Sequence, residues 1–333
     1  MKNQRTVISV VIGIVIAILS VIVIYSGIKI ISGLIANNSV PDISGEDTYT
    51  KTKEKNGIKY YPKQDISVFL LMGIDREGPV VKSESYNNDG AADVVSLVIF
   101  DDTNKNFSVL MLNRDTMTEM QVLGIGGRPA DTVTAQLALA HTYGSGMEDS
   151  CENVKDAVSQ LLGGIEIDYY MSMNMDAISI LNDKVGGVTV TVTDDFSKVD
   201  DTIPKGEIKL KGDQALSFVR NRQDVGDQLN VSRMERQKEY MYGFMDAVKA
   251  KAESDGNTTT EIYNSIKPYI VSDCSVSNFT NIINRCSDYT LKEIVTPEGE
   301  NVKGEQYMEY HLDEEAAEDL ALRLFYSEKP TID

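Results

Sequence analysis

Histidine is nearly absent from this chain of 333 residues, with only His141 and His311. Cysteine is scarce too, at Cys151, Cys274 and Cys286, and no close Cys/His spacing occurs, which argues against a zinc site. An odd count leaves one thiol outside any disulfide. Cys274 and Cys286 suit a bridge flanking a helix and, equally, two small buried apolar side chains. Positive charge is also in deficit: 32 Lys+Arg stand against 51 Asp+Glu, a net charge of −19. Duplex affinity comes mainly from neutralising phosphates with a basic surface. With no zinc-finger spacing, no helix-turn-helix pattern and no basic tail, the balance argues against a nucleic-acid binder. Repeats, low-complexity tracts and a nucleophile elbow are missing. Gly124-Ile125-Gly126-Gly127 lacks the Lys and Ser/Thr that complete a phosphate-binding loop.

Long apolar runs are limited to one place. Val7 to Ile24 carries no charge, and apolar residues continue to Ile35 around Lys29. A helix of roughly 20 such residues crosses a bilayer core. A signal peptide has a shorter apolar core and a small-residue cleavage site. Lys2 and Arg5 precede the run, which puts the N-terminus in the cytoplasm. The expected organisation is a cytoplasmic tail at 1–6, a transmembrane helix at 7–35 and a polar linker at 36–62. A globular domain at 63–253 follows, and then a helical C-terminal extension, 254–333, packed on it. The bulk of the chain is expected outside the cell membrane, held by a single pass.

Ile66–Gly73 reads as an inner strand. Val94–Phe100 and Phe107–Leu112 read as a hairpin about Asp-Asp-Thr-Asn-Lys-Asn. Asn113 to Pro129 reads as a loop, and Val133–Tyr143 and Ser150–Leu162 as helices, the second capped by Ser150. Strands are expected at Tyr169–Met173, Val188–Val192 and Ile208–Leu210. Helices are expected to end at Gly186-Gly187 and to span Asp213–Arg220, Asn230–Lys251, most of Glu261–Tyr289, and Glu314–Tyr326. Interleaved strands and helices predict an α/β fold, an α-β-α sandwich with a mixed central sheet.

Against the acidic background, Arg220, Arg222, Arg233, Arg236 and Gln237 fall in one stretch. On a helix, Arg233 and Gln237 lie one turn apart on one face. Guanidinium groups grip phosphate oxygens bidentately and stay charged at any relevant pH, so the cluster points to an oligoanion, most plausibly a pyrophosphate. Three further segments end where strands deliver side chains: Gly73-Ile74-Asp75-Arg76, Asp93, and Asn113-Arg114-Asp115-Thr116. Asp75 and Asp93 suit a hard cation such as Mg²⁺, which takes one or two carboxylates plus phosphate oxygens and water. Arg114 joins the arginines. Asp115 either accepts a proton from an attacking hydroxyl or orients Arg114. Each feature has a plainer counterpart: strand-end aspartates are commonly turn formers, and Arg-Asp neighbours are commonly weak surface pairs. Arg236 reads as a helix-surface pair with Glu235 or Glu239, and His141 as a packed core residue.

The order of these segments resembles the LytR-CpsA-Psr family of bacterial cell-wall glycopolymer transferases, from about Asp65 to Ala250. Its carriers are Phe69-Leu-Leu-Met-Gly-Ile-Asp-Arg76, Ala92-Asp-Val-Val-Ser-Leu97, Asn113-Arg-Asp-Thr116 and Val185-Gly-Gly-Val188. They end with Gly212-Asp-Gln-Ala-Leu-Ser-Phe-Val-Arg-Asn-Arg222 and Arg233-Met-Glu-Arg-Gln237. The resemblance implies a membrane-anchored phosphotransferase. Such enzymes move a phosphoglycopolymer (teichoic acid, capsule or another glycan) from a polyprenyl-pyrophosphate carrier onto a peptidoglycan hydroxyl. By position, Asp75 and Asp93 match the family's metal-associated acids. Arg114, Arg220, Arg222, Arg233 and Gln237 match its pyrophosphate ligands, and Asp115 its acid near the reacting phosphate. Where the family carries an arginine two residues before the second acid, this chain has Ala91, and Arg76 is the candidate replacement. Ala91 gives weight to a second reading, a lipid-pyrophosphate binding or regulatory protein without turnover, and a third, a polyprenyl-pyrophosphate pyrophosphatase, would share the same pocket. The apolar positions of Val133–Tyr143 and Ile178–Val185 offer walls for a lipid groove, or ordinary core.

Overall fold

The computed structural model describes residues 52–328 apart from 85–87, 125–126, 255–257, 276–277, 279–280, 283–284, 287–288 and 306. The expected cytoplasmic tail and transmembrane helix lie outside the described residues. Among those described, no helix is long and apolar enough to cross a membrane.

Strand β1 (Lys53–Lys55) and β2 (Ile58–Pro62) form a hairpin inside the expected linker. Asn56 and Gly57 have φ of 53° and 75°, the left-handed pair that a two-residue hairpin turn requires. The central strands follow as β3 (Ile66–Ile74), β4 (Ala92–Asp101) and β5 (Asn106–Leu112), in the order read from the sequence. Asp101 receives the Asn104 backbone N–H at 2.8 Å and closes the β4–β5 turn.

The next segment departs from expectation. Strand β6 (Met117–Leu123) occupies the expected loop and pairs antiparallel with β7 (Pro129–Gln136). The helix expected over Val133–Tyr143 is therefore strand as far as Gln136 and a 3-10 turn from Leu137 to Tyr143. Pro129, Val133 and three threonines favour an extended ribbon over a helix. Helix α1 (Glu148–Leu161) starts two residues before Ser150, whose Oγ instead accepts the Gly146 N–H at 2.8 Å.

Then come β8 (Tyr169–Asn174), α2 (Ala177–Lys184), β9 (Val188–Val192), β10 (Gly206–Leu210), α3 (Asp213–Arg220) and α4 (Asn230–Ser254). Each matches its expected segment. Gly186 and Gly187, at φ of 82° and 93°, end α2 as read. The last part contains α5 (Thr258–Ile266), β11 (Ile270–Ser272), β12 (Thr290–Val295), β13 (Gly299–Lys303), β14 (Met308–Leu312), α6 (Glu314–Phe325) and β15 (Tyr326–Ser327).

The main sheet has the order β11-β8-β3-β4-β5-β12. The β3–β8 and β5–β12 pairs are parallel and the others antiparallel, a mixed sheet as expected. Alternation along β3 and β4 sends Phe69, Val98 and Phe100 into a core shared with α2, α3 and α4. Leu70, Met72 and Leu97 enter a second core with α1 and α6. The C-terminal part is thus not a helical extension on a finished domain. Two of its strands complete the sheet and α6 closes one core. Their partners are more than 90 residues away in sequence, so local periodicity carries little of this. Cys151, Cys274 and Cys286 are all buried thiols, with no disulfide between them.

Candidate active site

The ladder between β3 and β4 pairs Gly73 with Val94 and Ile74 with Ala92, skipping Asp93. This bulge frees Asp93 from regular alternation, as bulges beside sites commonly do. Asp75 follows at once, its backbone N–H donating to Ala91 O at 2.8 Å. The turn after β5 supplies Arg114 and Asp115, the end of α3 and its following loop supply Arg220 and Arg222, and the first turn of α4 supplies Arg233.

These residues converge. Asp93 receives Arg114 Nη1 on Oδ1 and Arg233 Nη1 on Oδ2, the latter at 2.6 Å, while Arg233 Nη2 also donates to the Asp93 carbonyl at 3.1 Å. Asp115 receives Arg222 Nη1 on Oδ2 at 2.8 Å, and Arg114 Nε stands 3.5 Å from its Oδ1. Arg220 Nη2 lies 2.8 Å from Asp75 Oδ1. That contact is an ion pair without hydrogen-bond alignment, since Oδ1 has no hydrogen-bond partner. Arg114, Arg222 and Arg233 thus form one network with Asp93 and Asp115, and the Arg220–Asp75 pair adjoins it along the chain, two residues before Arg222.

Depth sorts their tasks. The side chains of Arg233, Asp93 and Asp115 are 3%, 4% and 3% exposed, whereas those of Arg220 and Arg222 are 38% and 33% exposed. Burial lowers the Arg233 pKa from its ordinary value while Asp93 opposes the shift. The buried members form a floor, and the half-exposed arginines are free to exchange carboxylate for ligand oxygens. Each Asp115 oxygen already accepts one protein donor, Gln136 Nε2 on Oδ1 and Arg222 Nη1 on Oδ2, which suits the carboxylate to orienting Arg222 beside Arg114.

Arg236 is no surface pair. It is buried, donates from Nε to Phe218 O at 3.1 Å and from Nη1 to Asp194 at 2.5 Å, and pins α4 to the end of α3. Gln237 donates to Val219 O at 3.1 Å, one turn beyond Arg233, and stands at the edge of the cluster. Arg76 turns elsewhere. It lines a small recess with His141, Gly146 and Asn174, and among the described residues it shares no ion pair with the cluster. The place opened by Ala91 is therefore not filled by Arg76 in this arrangement.

An apolar cavity of about 220 Å³ opens beside the cluster, between the sheet and helices α2 and α4. Its walls include Val98, Met171, Ile178, Leu181, Tyr240 and Phe244. Gly73, Val94, Val219 and Gln237 also line it, each within four residues of a cluster member. A Cβ on Gly73 would stand 3.1 Å from Val94 Cβ, so glycine keeps this edge clear. The α2 positions read as a possible lipid wall do line the cavity, whereas those of Val133–Tyr143 do not.

Three supporting residues, Gln136, Tyr310 and Asn230, lie outside the sequence-read segments, and Asn113 acts from within one of them. Gln136 Nε2 donates to Asp115 Oδ1 at 3.2 Å and to Met308 O at 2.7 Å. The Tyr310 N–H donates to Asp115 O at 2.9 Å. Asn113 Oδ1 accepts from the Asp115 N–H at 3.0 Å and from Asn230 Nδ2 at 2.7 Å. Asn230, three residues before Arg233, was findable by helical spacing. Gln136 and Tyr310 gave no local signal.

Among the described residues no group of three or more His, Cys, Asp or Glu side chains forms a metal cage. Both Asp93 oxygens already face guanidinium groups. Asp75 Oδ1 has no hydrogen bond but faces Arg220 at 2.8 Å, so it fits Mg²⁺ shared with phosphate oxygens, the usual mode for this cation, once Arg220 has turned to the phosphate.

A model described as the LytR_cpsA_psr family matches residues 2–324. The polyisoprenyl-teichoic acid–peptidoglycan teichoic acid transferase TagU of Bacillus cereus is 26% identical over 280 residues, covering 82% of each chain. The crystal structure of Bacillus subtilis TagV superposes with a TM-score of 0.57 at 20% identity, covering 79% of this chain and 96% of that one. TagT bound to LI-WTA gives a TM-score of 0.57 at 21% identity, covering 78% and 90%. The same mixed α/β fold therefore recurs in both structures, and with the family model matching nearly its whole length, the chain belongs to the LytR-CpsA-Psr family.

Proposed function

We propose that this chain is a membrane-anchored transferase that moves a phosphoglycopolymer from a polyprenyl-pyrophosphate carrier to a hydroxyl of peptidoglycan. The observation that carries this reading is the adjacency of a guanidinium cluster to an apolar cavity of about 220 Å³. That pairing matches an amphiphile with a diphosphate head and a hydrocarbon tail. The relatives' names, which pair a polyisoprenyl carrier with peptidoglycan, support the same substrates.

Arg220 and Arg222 exchange their carboxylate partners for diphosphate oxygens, and Arg114 completes the grip from the turn after β5. The acceptor oxygen bonds to the phosphorus that bears the glycan. The bridging P–O bond breaks, polyprenyl phosphate leaves with the electron pair, and the hydroxyl proton passes to that departing phosphate. Phosphoryl transfer depends mainly on positioning and charge neutralisation, which the cluster is built to supply. Mg²⁺ bound through Asp75 would add neutralising charge on the phosphate oxygens. The uncharged run from Val7 to Ile24 would hold the domain outside the membrane with its N-terminus in the cytoplasm, beside the donor's headgroup layer.

Incubating the full-length chain with a polyprenyl-pyrophosphate glycan, Mg²⁺ and an acceptor glycan tests the reading. Coupled product is expected. Free phosphorylated sugar would favour the pyrophosphatase, and retention without conversion the binding protein. Arg220→Ala or Arg222→Ala should cut turnover on the order of 100-fold without loss of folding. Asp75→Ala should abolish the response to Mg²⁺, and an unchanged titration would remove that residue from the metal.

A further inference from the structure

A second, larger depression lies beside the cluster and shares with it only the supporting residues Asn113 and Tyr310. It is a groove of about 650 Å³ between the first turns of α4 and the β13–β14 hairpin, lined by Asn113, Val231, Glu235, Glu298, Glu300 and Tyr310 among others. A volume of this size falls within the range of small-ligand clefts. The lining is unlike the apolar cavity. Glu235, Glu298, Glu300 and Asp313 offer carboxylates against Lys238 and His311, and Lys238 is already paired with Glu235 at 2.7 Å.

The independent sign of a ligand is Asn113. Its Oδ1 takes two protein donors, which fixes the amide orientation. Its Nδ2 has no partner, although the residue is only 1% exposed and lines the groove. An unsatisfied buried donor costs about 1–3 kcal/mol, a cost that a ligand oxygen at this spot would remove. Asn113 also directly precedes Arg114 and Asp115, so a ligand held there ends next to the reacting groups.

We propose that this groove is the acceptor subsite and takes an uncharged, hydroxyl-rich sugar chain; the assignment rests on the transferase reading above. Carboxylates only accept hydrogen bonds, and sugar hydroxyls are abundant donors. The same carboxylates repel a phosphoanionic donor, so the two substrates cannot exchange places. Approach is divided as well: Gln237, Tyr240 and Phe244 of α4 face the apolar cavity, while Val231, Glu235 and Lys238 face the groove. The lipid-bearing leaving group and the attacking hydroxyl thus arrive from different sides of one helix, which suits an in-line displacement.

Isothermal titration of the full-length chain in detergent with the β-1,4-linked tetrasaccharide of N-acetylglucosamine, donor omitted, tests the groove directly. Wild-type protein should bind. Val231→Trp, which fills the groove from an exposed position, and the double variant Glu298→Ala/Glu300→Ala should each bind at least tenfold more weakly at unchanged melting temperature. In the coupled reaction the acceptor KM should rise by the same factor while the donor KM stays within about twofold. No heat from wild type, or equal affinity in wild type and both variants, would overturn the proposal. Groove-dependent binding without coupled product would keep the subsite and remove the transferase reading. Coupled product with an unmoved acceptor KM in every variant would do the reverse.

Discussion

Residues 65–250 and the last forty-four residues reach the same turn, Asn113–Thr116, by different means. The first region brings charge to it: Asp93 meets Arg114 and Arg222 meets Asp115 as side chains, with Arg233 behind Asp93. The second brings main chain. The Tyr310 N–H holds the Asp115 carbonyl, the Met308 carbonyl holds Gln136, and β12 runs along β5 just before the turn. Chemistry that depends on residue type leaves a mark in sequence. Support from backbone groups does not, because every non-proline residue carries the same donor and acceptor.

Deleting residues 290–333 would break the comparison most severely. It removes β12 from the sheet and Ala321, Leu322, Leu324 and Phe325 from a core. Each large apolar side chain contributes about 1.5–3 kcal/mol, so the loss rivals a domain's whole stability of about 5–15 kcal/mol. The truncated chain is expected to lose its cooperative melting transition. A folded, active product would reduce the C-terminal region to an appendage.

Within the first region, Arg233→Ala separates support from ligand binding. Asp93 would be left buried beside a single guanidinium, and breaking such a pair costs about 3–5 kcal/mol. Urea unfolding should show that drop, whereas Arg222→Ala, one-third exposed at the rim, should leave the midpoint nearly unmoved.

The legible parts follow the same division. Arg220, Arg222 and Arg233 stand out in sequence because guanidinium groups concentrated in an acidic chain demand an anion, whereas Asp75, Asp93, Arg114 and Asp115 are singled out by the resemblance of their segments to the family. The β3–β4–β5 order was visible in continuous apolar runs. What escaped was non-local. Gln136 looked like part of a helix because Val133, Leu137 and Ala140 keep a helical spacing. Its neighbours on the other side, Met308 and Tyr310, lie about 170 residues away. The hairpin at Asn56-Gly57 is different, since its turn signal is local but sits in a polar stretch with no apolar periodicity around it. Arg76 could not be placed from sequence either, because which way a residue turns after a strand end depends on the packing of His141 and Gly146.

The two histidines extend the contrast. His311, in the second region, is half exposed beside Glu309 at 2.8 Å. His141, in the first, is 2% exposed, and its Nδ1 donates to the Gly90 carbonyl at 2.6 Å. Burial pushes the His141 pKa from 6.5 down to about 4. The folded state therefore resists a proton that the unfolded chain accepts. Stability is at its full value above pH 6.5 and falls as pH drops toward 4, by about 3 kcal/mol. Chemical denaturation at pH 7 and pH 4 should show this slope in wild type and a flatter one in His141→Gln. Equal slopes would mean that His141 titrates normally.

Gln136 offers the finest test, because its side chain hydrogen-bonds to both regions. Its amide nitrogen donates to both Asp115 Oδ1 and Met308 O. Loss of these bonds in Gln136→Ala is worth about 1–1.5 kcal/mol, close to a tenfold fall in kcat, with a small change in donor KM if the residue positions Asp115 and does not touch the diphosphate. Gln136→Glu keeps the shape but, when ionised, sets a carboxylate against another carboxylate and a carbonyl. Protonation restores a single donor, so the activity of this variant should rise as pH falls toward the acid range, a direction that wild type does not share. A purely structural contact would lower stability in both variants without giving the glutamate its own pH profile, and parallel profiles would reduce Gln136 to packing.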